Sequence, residues 1–170
     1  MASYMIAGTG HRPNKLGGYN SIATTKLINL AKDYLTSEIR PWSDRDLAII
    51  TGMALGWDQA LAIAAYSLGV PFIAAVPFVG QEKRWPEADQ IMYKDLLTKA
   101  ARVEIITAGG FSTEAMYVRN MWMVDRADSL VALWNGDKEG GTYHCIRYAK
   151  SKNKRIENLW SLWRNSYVSS

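Results

Sequence analysis

The chain has 170 residues, 48% hydrophobic, 11% aromatic and 21% charged, a mixture that folds and that excludes a disordered protein. One cysteine, Cys145, rules out an intrachain disulfide and with it a secreted disulfide framework, and a formal net charge of +4 suits an anionic ligand without naming one. The most apolar stretch, Val70 to Val79, is broken by Pro71 and Pro77 and falls short of the roughly 20 residues that cross a bilayer, so a soluble cytoplasmic protein with no membrane partner is expected.

Tyr4 to Gly8 reads as a buried first strand ending in glycine. Ser21 to Ile39 carries apolar residues at helical spacing, and Pro41 lies just beyond. Leu47 to Thr51 reads as the second strand, and Asp58 to Leu68 as a buried helix closed by Gly69. Pro71 to Pro77 is the third strand, and Pro86 to Ala101 a helix with proline in its first turn. Val103 to Thr107 gives a fourth strand, Thr113 to Ala127 a Met- and Trp-containing helix, and Leu130 to Trp134 a fifth strand. Thr142 to Lys150 is a last long helix, and Ile156 to Trp160 adds a sixth strand.

Alternating strands and helices, with strands apolar on both faces, predict an α/β fold: one doubly wound Rossmann-like domain over 1–170 with a mainly parallel sheet of five to six strands. Its core spans about residues 3–160, with 161–170 as a short tail. Ligands of such sheets bind beyond the carboxyl ends of the strands, so the residues following each strand are the candidates.

Gly8-Thr9-Gly10-His11-Arg12 follows the first strand, where glycines admit a ligand close to the backbone and Arg12 offers a forked donor to phosphate. The dinucleotide fingerprint fails, because Pro13 stands where its third glycine belongs, and the Walker loop fails because Tyr19 follows Gly18. After the second strand, Gly52-Met53-Ala54-Leu55-Gly56-Trp57-Asp58 leads small residues into a helix; Asp58 either caps it or holds a ribose hydroxyl. Pro77 and Gln81 follow the third strand, with Gln81 and Trp85 suited to base recognition, through hydrogen bonding and stacking, or to a surface cap. Arg119-Asn120 lies in an apolar helix, so Arg119 needs a partner: Asp125 or a ligand phosphate. Gly140-Gly141-Thr142 opens the last long helix as an anion seat. His11, His144 and Cys145 lack ligand spacing, so neither a metal nor a cofactor is expected.

Taken together, Gly8 to Arg12, Gly52 to Asp58, Arg119-Asn120 and Gly140 to Thr142 resemble the SLOG superfamily over nearly the whole chain, and within it the YspA/YpsA-related branch of small bacterial and phage proteins. That resemblance implies a Rossmann-like sheet binding nucleotides or nucleotide-derived ligands. The superfamily's phosphoribohydrolases carry an Arg-Lys pair and a Pro-Gly-Gly-x-Gly-Thr-x-x-Glu motif. Here Arg119-Asn120 and Gly140-Gly141-Thr142 occupy those places, but His144 and Cys145 stand at the glutamate positions.

The reading that follows is a protein that binds a nucleotide or nucleotide-derived small molecule, as a sensor or sequestering protein. The alternative is a nucleoside 5′-monophosphate N-glycosidase with a non-standard acid, with Asp58, Arg119 and Asp125 as catalytic candidates and Glu82 and Glu114 as further carboxylates. The third is a single-stranded DNA-binding module. Arg119→Ala is expected to abolish binding and leave the fold intact. Trp160, Trp163 and the Met-rich helix offer apolar surface for a homo-oligomer, or else pack the final segment onto the sheet.

Overall fold

The computed structural model describes residues 4–39 and 46–168; Pro41 lies outside them. Six strands and six helices follow one another as β1 (Tyr4–Gly10), α1 (Ser21–Ile39), β2 (Leu47–Thr51), α2 (Trp57–Ser67), β3 (Phe72–Val76), α3 (Glu87–Lys99), β4 (Arg102–Ile105), α4 (Thr113–Arg126), β5 (Ser129–Leu133), α5 (Gly140–Ser151), β6 (Arg155–Asn158) and α6 (Trp160–Val168). The strands form one sheet in the order β4-β3-β2-β1-β5-β6, and every neighbouring pair is parallel.

Sequence pattern explains that order. The doubly apolar runs β2, β3 and β5 are buried along their whole length, as interior strands covered on both faces must be. The two edges fall to β4 and β6, where Arg102 pairs with Glu104 at 2.7 Å and Arg155 lies 4.0 Å from Glu157. Charged side chains on an edge discourage pairing with another chain.

One face of the sheet carries α1, α2, α3 and α6, packed through Leu27, Leu35, Trp57, Leu61, Leu96 and Trp163. The other carries α4 and α5, packed through Met123, Val124, Cys145 and Ile146 against Ala7, Ile50 and Leu130. The chain leaves β1 towards β4 in one direction and returns to β5 and β6 in the other. The ends of β1 and β5 therefore flank the crevice at which the strand order reverses.

Two expectations change. β1 runs on through Gly10, because Gly8, Thr9 and Gly10 pair with Val131, Ala132 and Leu133 of β5; the glycine run is strand rather than loop. The segment expected as a tail is helical, and Trp163 is buried in the α1–α2 core with Trp160 packed beside it. Of the two readings of these tryptophans, packing the final segment is the one observed.

Candidate functional site

A cavity of about 370 Å³ opens at the carboxyl end of β1, walled by α4 on one side and by the first turn of α5 on another. It gathers Gly8, Thr9, Gly10, His11, Arg12, Ala54, Asp58, Arg119, Asn120, Gly140, Gly141 and Thr142, residues separated by up to 134 positions and collected by the crossovers. Gly52, Met53, Gly56, Pro77 and Gln81 do not line it.

Asp58 dominates its chemistry. It sits in the first turn of α2, which starts after Gly56 with no side-chain cap, and it is 6% exposed. Its Oδ2 accepts from the Ala54 amide at 3.3 Å, while Oδ1 is buried with no hydrogen-bond partner. Burial pushes its carboxyl up to about 6, against the opposing pull of the nearby Arg119 charge and the Ala54 amide. The segment before it is held in an unusual shape: Met53 has a left-handed φ of 64°, fixed by Gln59 Nε2 donating to its carbonyl at 3.2 Å. A non-glycine residue there costs about 1 kcal/mol or more and persists only where its surroundings determine it.

Arg119 is 4% exposed, and its partners are neither Asp125 nor open space. Its Nη1 donates to the Gly52 carbonyl at 2.6 Å and to Ala75 at 3.2 Å, and its Nε donates to Asn120 Oδ1 at 3.1 Å. Asn120 in turn donates to the Gly141 carbonyl at 3.1 Å. Arg119 thus ties the ends of β2 and β3 to α4, and Asn120 ties α4 to α5. A residue read as a ligand clamp also serves as a rivet, so Arg119→Ala is expected to cost stability: it removes donors to the Gly52 and Ala75 carbonyls, leaving Gln81 Nε2 as the side-chain donor to Gly52.

The glycines divide by what their missing side chains make room for. A Cβ on Gly10 would stand 2.5 Å from Trp57 Cδ1, one on Gly52 2.6 Å from Arg119 Cζ, and one on Gly8 would strike Leu61. These three admit protein. A Cβ on Gly140 would meet nothing within 4 Å, and one on Gly141 only Asn120 Nδ2 at 3.9 Å. α5 has no side-chain cap at Glu139, and its opening residues Glu139 to Thr142 line the cavity. Arg12 is exposed at the rim, with no hydrogen bond or ion pair from its side chain among the described residues.

His11 is buried, with Nε2 2.8 Å from Asn135 Oδ1 and 3.0 Å from the Asn135 amide, and its ring meets the edge of Trp160. Burial pulls its imidazole below the usual value, against the Asn135 hydrogen bond, and the ring fastens β1 to the loop after β5. Gln81 is a buried brace, donating to the Gly52 carbonyl at 3.0 Å and accepting from Tyr93 at 3.1 Å. The Pro77 carbonyl accepts from Thr107 Oγ1 at 2.7 Å. Asp125 is exposed at the end of α4 and accepts from the Tyr148 hydroxyl at 2.7 Å, outside the cavity; Glu82 and Glu114 are outside it as well. Of the carboxylates weighed from sequence, only Asp58 lies in the site.

Cys145 is wholly buried and its thiol is pushed up to about 12, which makes it core. Sequence reasoning missed Phe111, Met116, Tyr117 and Glu139 in the lining. The signal for Tyr117 and Met116 was their placement one turn before Arg119-Asn120 on α4. Asn135, which holds His11, carried no signal beyond its place after a strand.

The family model for the YspA SLOG family matches residues 6–162. The chain belongs to that family. It is 31% identical over 153 residues to the SPbeta prophage-derived protein YoqJ of Bacillus subtilis, covering 81% of this chain and 85% of YoqJ. It is 24% identical over 157 residues to a UPF0398 protein of Bacillus velezensis, covering 88% and 85%. Among solved structures it is similar to DNA processing protein A (DprA) of Streptococcus pneumoniae, with a TM-score of 0.63 at 15% identity. It is also similar to the DprA of Helicobacter pylori, a single-stranded DNA binder, with a TM-score of 0.62 at 17% identity. The match covers 91% and 92% of this chain but only 50% and 65% of those two, so the likeness is one of fold.

In this SLOG-family chain, no helix of the described residues is long and apolar enough to cross a membrane. Trp163 and Met123 are buried in the core; exposed apolar side chains among the described residues include Ile22, Val79, Ile91, Met92 and Leu162.

Proposed function

We propose that this chain acts in the cytoplasm as a single domain that binds a nucleotide or nucleotide-derived small molecule in the β1–α4–α5 cavity, as a sensor or sequestering protein. The observation that carries the reading is Asp58 in the lining of that cavity, with a buried Oδ1 that has no hydrogen-bond partner. A buried carboxylate oxygen without a donor is costly, and a ligand hydroxyl or amine supplies the donor. The opening turn of α5 and Arg12 supply the complementary anion seat, so one end of the ligand is a donor such as ribose and the other a phosphate.

The test is calorimetric titration with the four ribonucleoside 5′-monophosphates. At least one binds the wild type; Arg12→Ala weakens it about tenfold, the usual worth of a charge-assisted contact, and Asp58→Asn weakens it further. Absence of binding by all four contradicts the reading.

N-glycosidic cleavage is the second reading, and the carboxyl of Asp58 near 6 favours it, because a group in that range exchanges protons at neutral pH. In that step the C1′–N bond breaks, water adds to C1′, and the departing base gains a proton. Free base appearing in the same titration, and lost in Asp58→Asn, selects it. Single-stranded DNA draws support from the net charge and from what H. pylori DprA binds; retention falling steeply with salt selects that case.

A further inference from the structure

A second, more open cavity of about 670 Å³ adjoins the first along α5 and shares Tyr117, Glu139 and Gly140 with it. Its remaining wall is aromatic and cationic, with Tyr143, His144, Tyr148, Arg147 and Lys138 all facing it. The rings are ordered by one another. His144 stacks flat on Tyr117 with centroids 3.8 Å apart, Tyr143 stacks on Trp134 at 6.0 Å, and the Arg147 guanidinium lies 5.6 Å over the Tyr143 ring.

Pre-arranged aromatic rings beside guanidinium and ammonium groups form the surface on which bases stack while cations meet the connecting phosphate. Charge fits a single diester: Lys138 and Arg147 against Glu139 leave one net positive charge on this wall. The boundary between the cavities is Gly140, at the uncapped opening of α5, where a phosphate gains from the helix dipole.

We propose that the ligand runs through both cavities as a dinucleotide. One nucleotide sits against Asp58, the linking phosphodiester crosses the first turn of α5, and the second base lies on the Tyr143–Tyr148 side. This rests on the nucleotide reading of the first cavity. A tethered second unit binds at high effective concentration, so the gain over a mononucleotide is large even if that unit alone binds weakly.

The experiment compares each ribonucleoside 5′-monophosphate with the matching 5′-phosphorylated 3′,5′-linked dinucleotide, by calorimetry on wild type, Arg147→Ala and Tyr143→Ala. Arg147 is exposed, so its truncation leaves the fold in place, and thermal unfolding checks both variants. The expected result is a dinucleotide at least tenfold tighter than its mononucleotide, with the gain cut below threefold in Arg147→Ala and in Tyr143→Ala while mononucleotide affinity holds. Equal affinity for the two on the wild type, or a gain that survives both variants, overturns the inference and leaves the first cavity's reading standing. Binding of neither probe overturns both.

Discussion

Glycine does opposite work in two regions of this molecule. At the end of β1 and β2, Gly8, Gly10 and Gly52 are filled in from behind by Leu61, Trp57 and Arg119, so their bareness lets helices and a guanidinium close on the sheet. At the opening of α5, Gly140 faces open space and Gly141 meets only Asn120 Nδ2 at 3.9 Å, so their bareness leaves room beside the helix's first turn. The same contrast separates the charges. Arg119 is consumed by carbonyls at 2.6 and 3.2 Å, whereas Asp58 keeps an oxygen with no partner. Some motif residues around the crevice are taken up by the fold, while Asp58 Oδ1 and the glycines opening α5 are not.

The largest effect that tests this division is Arg119→Ala. It is expected to destabilise by about 3–5 kcal/mol, through lost hydrogen bonds to the Gly52 and Ala75 carbonyls and an Asp58 charge left without its neighbour; chemical denaturation measures it, and a loss below about 1 kcal/mol breaks the rivet account. Asp58→Asn comes next, with the opposite sign. A carboxyl raised from 3.8 to about 6 contributes stability that is present below 3.8 and lost as pH rises through 6. Removing the charge is therefore expected to stabilise the protein by up to about 3 kcal/mol at pH 8, two pKa units' worth, and to change little at pH 3.5. Unfolding midpoints across pH 3.5 to 8 check the crossover.

Gly10→Ala is expected to cost about 1–3 kcal/mol by overpacking against Trp57. Gly141→Ala sharpens the contrast: it lies within the helix, so stability holds or rises by up to about 1 kcal/mol, while nucleotide affinity falls. If both glycines respond alike in stability, the division fails.

Much of the fold was legible because the interior strands are apolar on both faces and the helices repeat at helical spacing. α1 and β2 fall at the expected residues. The site was legible only as a set of places after strands. Sequence put Arg119 in an apolar helix and so required a partner, but carbonyls of Gly52 and Ala75 leave no trace in a one-dimensional pattern. Nor could it tell that Gly8 and Gly10 point their bare sides at α2, since strand and glycine loop look alike at a glycine-rich strand end. Gln81 looked like a base reader because an exposed amide and a buried brace have the same letter. Among Asp58, Glu82, Glu114 and Asp125, only the crossovers decide which carboxylate reaches the crevice.

The most direct test of the central claim, that Asp58 Oδ1 is kept unpaired for a ligand, is thermal unfolding of wild type and Asp58→Asn at pH 8 with and without the ribonucleoside 5′-monophosphates. The account predicts that the variant is the more stable protein alone, and that a nucleotide at a hundred times its Kd raises the wild type by about 2.7 kcal/mol while leaving the variant nearly unmoved. A variant less stable than wild type without ligand, or stabilised equally by nucleotide, would contradict it.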